Sequence, residues 1–485
     1  MSLKLAPRPD ERLTALERLE VLCDPGSISL VRTDVRSRRM GEKARAGDGV
    51  LGGSGRVDGR PVFCFAQDAS FVGGSLGAAH ADTVVQVLQL AGRAEVPVIG
   101  FIESGGARIT EGLSALGGYG RIFREHVALS GRVPQISVIC GPSAGGGSYA
   151  PALTDFVIMT QEASMFLTGP AVVKRVMGED VDGAALGGPR VHERNGVCHM
   201  VAPTEVDAAL LARDLLDHLP QSSAEPAMRW PAVAPPSYQP DACVPTDERR
   251  VYDMREVARS LVDGGRLLEI SPKYARNITC ALARLDGRSI GIIANQPRYL
   301  GGVLDSHAAM KAARFVRTCN LFGLPMVVLV DTPGFLPGTK QEQGGVIRHG
   351  AKLVHAFAEA TVPRVTIVVR KAFGGAFIAM NAKDLGADFV FAWPTAQLGV
   401  MGSTQAIEII NRREIAGADD PGRARDALAA AYTAEHLLAA TGAADGFIDE
   451  VIPPSETRRR IISVFDSMEN VGRRQRPQRG GNIPL

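Results

Sequence analysis

Apolar residues fall into two periodicities that take turns along the chain. Pro61-Val62-Phe63-Cys64-Phe65-Ala66 alternates as a half-buried strand does, whereas Val98-Ile99-Gly100-Phe101-Ile102 and Ile136-Ser137-Val138-Ile139-Cys140 are short apolar runs bounded by Pro and Gly. Runs of that kind fit strands covered on both faces. Residues 81–90 between them carry helical spacing. The second half repeats the scheme, with Ile290-Gly291-Ile292-Ile293-Ala294 as a strand, residues 308–319 as a helix, and 326–330 and 364–369 as buried strands. Strand and helix alternate, which predicts βαβ units and an α/β fold. Leu13, Leu16, Leu19 and Leu22 recur near helical spacing and predict a helical arm over residues 1–45, with a turn-rich stretch after it.

The two halves also share landmarks. Gly73-Gly74, Val96-Pro97, Val133-Pro134 and Gly145-Gly146 are answered by Gly301-Gly302, Leu324-Pro325, Val362-Pro363 and Gly374-Gly375. The offset is 228 residues for the first two (73 to 301, 97 to 325) and 229 for the last two (134 to 363, 145 to 374). Such a period is far too long for a solenoid and predicts two similar domains on one chain. Pro220, Pro226, Pro231, Pro235, Pro236, Pro240 and Pro245 interrupt the text between them. The expected division is therefore a first domain over 1–219, a Pro-rich linker over 220–249 and a second domain over 250–485, with a basic, Gly-rich and loosely held tail after Met468.

Composition narrows the function. The chain has 485 residues, 45% hydrophobic and 22% charged, with a net charge of +2, so there is no polyanion footprint and nucleic acid is not an expected partner. No apolar stretch approaches the ~20 residues that span a bilayer, and residues 1–20 lack a signal-peptide core. A cytoplasmic protein without a membrane partner is expected. Seven dispersed cysteines without a C-x-x-C read as buried free thiols.

Each half places a Gly-rich turn between a short apolar strand and a helix: Cys140-Gly141-Pro142-Ser143-Ala144-Gly145-Gly146-Gly147 and Arg370-Lys371-Ala372-Phe373-Gly374-Gly375-Ala376. Glycine lets backbone approach a ligand, and the helix that follows starts with unpaired N–H groups at the positive end of its dipole. Together they make a socket for a negative oxygen; a glycine packed where strand and helix cross is the plainer alternative. A second pair of turns follows the preceding strands, Glu103-Ser104-Gly105-Gly106-Ala107-Arg108 and Asp331-Thr332-Pro333-Gly334-Phe335. The D-x-x-G of the latter invites a GTPase, but the dipeptide Gly-Lys occurs nowhere, so no phosphate-binding P-loop exists. Arg108 is a candidate for a substrate phosphate or carboxylate, or else a solvated or ion-paired arginine. There is no H-E-x-x-H and no G-x-S-x-G, and His192, His199, His307 and His349 lack a ligand-like pattern; they read as ordinary surface or interface histidines. Two sockets without an evident acid–base residue suggest that a cofactor supplies the base.

These residues resemble the carboxyltransferase β subunit of biotin-dependent acyl-CoA carboxylases of the acetyl-CoA/propionyl-CoA type. The resemblance rests on residues 103–108, 144–155, 166–170, 187–189, 331–338, 370–376 and 392–396, and on the terminal Gly481-Asn482-Ile483-Pro484-Leu485. It implies two tandem crotonase-like (ββα-spiral) domains and an enzyme in which carboxybiotin, delivered on a separate carrier domain, gives its CO2 to the α-carbon of a short-chain acyl-CoA. It further implies Gly145 and Gly146 at the acyl-CoA thioester, Gly375 and Ala376 at biotin, and Gly105, Gly106, Arg108 and Gly374 lining the substrates. Ile378 stands where the family carries a residue resembling an acyl-chain selector, acidic in typical propionyl-CoA enzymes. Being apolar here, it points toward acetyl-CoA with propionyl-CoA also accepted. The resemblance implies a homo-hexamer with sites shared between subunits, no metal, and an α subunit carrying biotin carboxylase and the carrier. The same fold also serves biotin-dependent decarboxylases and transcarboxylases, or a non-catalytic scaffold. Met310-Lys311 superficially looks like a biotin-attachment site, but it sits on a predicted helix with Ala312 where a second Met belongs, so it is rejected.

Overall fold

The computed structural model describes residues 12–247, 249–469 and 481–482. The chain divides into two compact units, residues 1–228 with 271–274 and 478–485, and residues 229–270 with 275–477.

In the first unit the strands are β1 (Ser29–Val31), β2 (Val50–Val57), β3 (Arg60–Gln67), β4 (Val98–Ser104), β5 (Gln135–Ala144), β6 (Phe156–Thr160), β7 (Ser164–Phe166) and β8 (Met200–Ala202). They form one sheet in the order β1-β2-β3-β4-β5-β6-β8, with β7 on the far end of β5. β1, β2 and β3 pair antiparallel and the rest parallel. β4 is buried along its whole length, which is why its sequence reads as an unbroken apolar run. The helices that flank the sheet include α1 (Ala15–Leu22), α2 (Ala78–Ala94), α3 (Leu113–Leu129), α4 (Gly146–Ala152) and α5 (Glu205–His218). Val84, Val87 and Leu88 of α2 and Ile122 and Leu129 of α3 pack with Val98, Ile102, Ile139 and Val157 of the strands in one core.

The second unit repeats this plan. Its strands are β9 (Leu267–Ile270), β10 (Ile278–Leu285), β11 (Arg288–Asn295), β12 (Met326–Thr332), β13 (Arg364–Phe373), β14 (Phe389–Ala392), β15 (Gln397–Gly399) and β16 (Glu450–Val451), in the order β9-β10-β11-β12-β13-β14-β16 with β15 on β13. Here α6 (Met254–Leu261), α7 (Ser306–Leu321), α8 (Val346–Glu359), α9 (Gly374–Ala379) and α10 (Thr457–Ser467) take the helical places. Both sheets carry the same irregularity: register shifts between Ile102 and Ser104 on β4 and between Val330 and Thr332 on β12.

The repeat extends to single hydrogen bonds. Asp24, after α1, accepts from the N–H groups of Asp58 (3.0 Å) and Gly59 (2.8 Å) and pairs with Arg213. Asp263, after α6, accepts from Asp286 (3.0 Å) and Gly287 (2.7 Å) and pairs with Arg458. In each case an aspartate fixes the β-hairpin turn and an arginine of a late helix holds the aspartate.

The arm departs from expectation. Among the described residues of the arm, α-helix covers only 15–22, started by a Thr14/Glu17 capping box; the chain then turns through Pro25-Gly26 and lays β1 against β2. Residues 1–11 of the expected arm lie outside the described residues, as does the expected loose tail apart from Glu469, Gly481 and Asn482. Among those described, residues 220–249 contain neither helix nor strand. Residues up to 228 go with the first unit, where Ser223 N–H donates to Arg132 O (2.8 Å); from 229 on the segment is held to the second, where Trp230 N–H donates to Gly287 O (2.9 Å) and the Arg284 guanidinium lies 5.1 Å from the Trp230 ring centre. The cysteines are free; Cys243 is half-buried and the others are buried.

Candidate active site

In each unit a glycine pair presses its backbone onto the end of a central strand. A Cβ on Gly74 would run into Glu103 O, and one on Gly302 into Asp331 O, so only glycine permits the approach. The turns beyond those strands are then tied down alike. Leu76 N–H donates to Gly106 O (2.8 Å) and Arg108 N–H to Leu76 O (2.9 Å); Leu304 N–H donates to Gly334 O (3.0 Å) and Leu336 N–H to Leu304 O (2.7 Å). Gly105 N–H is taken by Gly73 O (2.9 Å), and Gly106, at φ 93°, donates to Ser104 Oγ (3.2 Å).

The helix starts come next. Gly145 (φ 56°) and Gly374 (φ 59°) both take a positive φ at the end of β5 and β13. Gly145 N–H already donates to Phe166 O (3.0 Å). It is therefore not a spare donor. Strand register agrees: Pro142↔Ser164 answers Lys371↔Gln397, so Gly146-Gly147, not Gly145-Gly146, correspond to Gly375-Ala376. These residues open the first turns of α4 and α9, where N–H groups have no intrahelical acceptor.

The two starts differ in their surroundings. A Cβ on Gly146 would lie 2.5–2.7 Å from three ring carbons of Tyr119, whereas one on Gly375 meets nothing within 4 Å. Ala376 is fully buried, and Ile378, on the exposed side of α9, is 50% exposed, so it is not an ordinary core residue in this chain.

Arg108 is not available to a substrate. It is 2% exposed, pairs with Asp48 Oδ1 (2.6 Å) and Glu111 Oε1 (2.8 Å), and donates to Ser75 O (3.1 Å). It clamps the loop before β2 to the turn after β4, which settles the choice in favour of the ion pair. His199 is likewise buried: its Nδ1 accepts from Val157 N–H (2.9 Å). His192 Nε2 lies 2.8 Å from Met165 O.

Beneath both turns lies a buried acid with an arginine, reached by different routes. In the first unit Glu103 pairs with Arg18 of α1 (2.7 Å), which also binds Glu205 (2.8 Å), and with Arg12. In the second, Asp331 pairs with Arg370 of β13 (3.0 Å), whose guanidinium lies 4.9 Å from the Tyr252 ring centre. Burial pushes Asp331 above the usual carboxylate range against the opposing pull of Arg370, and burial and that carboxylate push the Tyr252 hydroxyl well up. Sequence inspection missed Tyr119, Arg18 and Tyr252, because none belongs to a glycine motif.

Comparison with known proteins matches residues 6–483 to the carboxyl transferase domain family. The chain is similar to the methylmalonyl-CoA carboxyltransferase 12S subunit of Propionibacterium freudenreichii subsp. shermanii, 46% identical over 97% of this chain and 91% of that protein. It is also similar to the propionyl-CoA carboxylase carboxyltransferase subunit of Haloferax mediterranei, 44% identical over 99% and 95%. A crystal structure of transcarboxylase 12S, described as a hexamer with methylmalonyl-coenzyme A and methylmalonic acid bound, superposes with a TM-score of 0.93 at 45% identity, covering 98% of this chain and 92% of that one.

Proposed function

The chain belongs to the carboxyl transferase domain family and is a carboxyltransferase of the acyl-CoA carboxylase type with two crotonase-like units; from that premise we propose that it carries a carboxyl group from carboxybiotin, borne on a partner protein, to the α-carbon of acetyl-CoA or propionyl-CoA. The observation that carries this is the duplicated helix start, at one register in both units. Two oxygens must be stabilised, one on the thioester and one on the biotin ring, and there are two sockets.

In the first unit the N–H groups of Gly146 and Gly147 hold the oxygen of the thioester as it takes on enolate charge. Those of Gly375 and Ala376 hold the ureido oxygen of biotin. The free space beside Gly375 suits a bicyclic group at that helix start. When bound, carboxybiotin supplies both the carboxyl group and the base that takes the α-proton. The chain's own residues supply the negative-charge sockets and the relative placement of donor and acceptor. Gly105, Gly106 and Gly374 set the turns that border the substrates, and Ile378 on α9 borders the acyl chain. An acetyl-CoA substrate would make the product a precursor for fatty acid biosynthesis.

Assembly as a hexamer with sites shared between chains, and with an α subunit that carries biotin carboxylase and the carrier, completes the proposal. The related 12S structure is a hexamer. The exposed apolar side chains Ile109 and Leu113 of the first unit and Ile347 and Val400 of the second, each more than three-quarters exposed, suit surfaces covered by another copy. The free thiols suit the cytoplasm. Among the described residues, no helix is long and apolar enough to cross a membrane. A second possibility, a biotin-dependent transcarboxylase or decarboxylase, is favoured by the 46% identity to the 12S subunit. Reconstitution with an α subunit, ATP, labelled bicarbonate and short acyl-CoAs decides. Fixed label supports the carboxylase. No fixation, together with loss of CO2 from methylmalonyl-CoA onto the carrier, supports the alternative.

A further inference from the structure

The largest departure from symmetry between the two sockets is the phenol ring under the first. Tyr119 stands on α3 and is 4% exposed. A Cβ on Gly146 would fall 2.5 Å from its Cγ and 2.7 Å from its Cδ1 and Cδ2, so the backbone of Gly146 rests on the ring face. Its Oη lies 3.2 Å from Ser104 Oγ at the end of β4, and Ser104 Oγ in turn accepts from Gly106 N–H. A Cβ on Gly147 would sit 3.4 Å from the same Oη. One side chain therefore touches the start of α4 with its ring and the turn after β4 with its hydroxyl.

Nothing comparable lies under the second socket, since a Cβ on Gly375 finds open space. Matching the buried positions of α3 (Ala115, Tyr119, Ile122, His126) to those of α8 (Val346, Gly350, Leu353, Phe357) gives the place of Tyr119 to Gly350, which has no side chain. The ring is thus a feature of one substrate's site and not a requirement of the fold.

We propose that Tyr119 is a positioning residue of the acyl-CoA site, holding the first turn of α4 at a fixed distance from the Ser104–Gly106 turn so that the Gly146 and Gly147 donors meet the thioester oxygen. This rests on the assignment of the first unit to acyl-CoA. Misplacement of about 1 Å at a reacting centre can cost about a hundredfold in rate, and a ring held on two sides prevents such movement at the helix start.

The test uses the assembled full-length protein and two reactions. Carboxyl transfer from methylmalonyl-CoA to free biotin needs both sockets, whereas decarboxylation of free carboxybiotin needs the second alone. Tyr119→Phe keeps the ring and loses the link to Ser104, and it is expected to lower kcat for transfer about tenfold at unchanged KM for biotin. Tyr119→Leu is expected to lower it about a hundredfold. Both variants keep carboxybiotin decarboxylation at the wild-type rate. Gly146→Ala, which drives a methyl into the ring, loses transfer in the wild-type background and loses little more when Tyr119 is already Leu, because the colliding partner is gone. Wild-type transfer by Tyr119→Phe, with Gly146→Ala equally harmful in both backgrounds, overturns the proposal. So does a fall in decarboxylation that keeps step with transfer, since that marks Tyr119 as merely structural. A wild-type protein that decarboxylates carboxybiotin but exchanges nothing with acyl-CoA overturns the acyl-CoA assignment itself, and the proposal with it.

Discussion

Replacing Arg18 by Val tests the swapped arginines most directly. Arg18 is 2% exposed and binds two carboxylates: Glu205 through Nε (2.9 Å) and Nη2 (2.8 Å), and Glu103 through Nη2 (2.7 Å). Its Nη1 also donates to Gln67 O (3.2 Å). Arg12 offers Glu103 a second cation, but its side chain is 60% exposed. Removing Arg18 strands two acids of like charge in a nearly dry site, and breaking a buried pair of this kind costs about 3–5 kcal/mol. For a domain of this size that is a fall in Tm of roughly 6–20 °C. The second unit shows how to repair it. Register places Arg370 where the first unit has Gly141, and α6 carries Val257 where α1 carries Arg18, counting from Asp24 and Asp263. A Cβ on Gly141 would lie 2.5 Å from Glu103 Oε1 and 2.6 Å from Arg12 Nη2, both ends of side chains that can yield. Arg18→Val/Gly141→Arg should therefore recover roughly half of the loss, Glu205 remaining unpaired. Thermal unfolding of the single and double variants is the assay. A Tm for Arg18→Val within 2 °C of wild type, or a double variant less stable than the single, refutes the exchange of arginines between helix and strand.

Three further outcomes follow from the same geometry. Gly375→Ala adds a methyl where nothing lies within 4 Å, so it should unfold at or above the wild-type temperature, whereas Gly146→Ala, 2.5 Å from the Tyr119 ring, should lose about 1–3 kcal/mol; equal losses by calorimetry would falsify the asymmetry of the two sockets. His80 is fully buried, and burial lowers it from 6.5 to about 3. The unfolded chain therefore takes up a proton that the folded one refuses, and stability falls as pH drops below about 6.5, by about 2 kcal/mol between pH 7 and pH 5. Denaturant titrations should show that slope and show it flattened in His80→Gln. Ile378→Asp should shift the ratio of kcat/KM for acetyl-CoA to propionyl-CoA by about tenfold, the scale of one methylene in an apolar pocket; an unchanged ratio in an active, assembled variant removes Ile378 from selectivity.

Much of the fold was legible because the strands that matter are buried on both faces. The runs at 98–102 and 136–140 could hardly be anything but inner parallel strands, and the structure only lengthens them, to Val98–Ser104 and Gln135–Ala144. The residues added at the site end are Glu103-Ser104 and Gly141-Pro142-Ser143-Ala144, which are polar or small because they approach the site, so hydrophobicity stops before the strand does. The arm failed for the opposite reason. Four leucines at helical spacing predict a helix but not where it ends, and Pro25-Gly26 ends it before residue 29.

At the site, glycines announced the sockets because backbone that must take a positive φ or touch backbone tolerates little else, as at Gly145, Gly374, Gly74 and Gly302. Spacing alone could not say which N–H groups were free. That depended on Phe166, whose carbonyl takes Gly145, and Phe166 lies 21 residues further on, across a strand pair. The side chains behind the glycines were illegible for a related reason. Tyr119 has no counterpart in the second half, and the arginine beneath each turn comes from a different element in each unit, so the repeat that revealed the sockets hid their supports. A duplicated fold preserves the backbone that both reactions need and lets the packing behind it diverge with the ligand. On the proposed assignment of the two sockets, the differences between the halves, at Tyr119 and at Arg18 against Arg370, are where the chemistry of one substrate is told from the other.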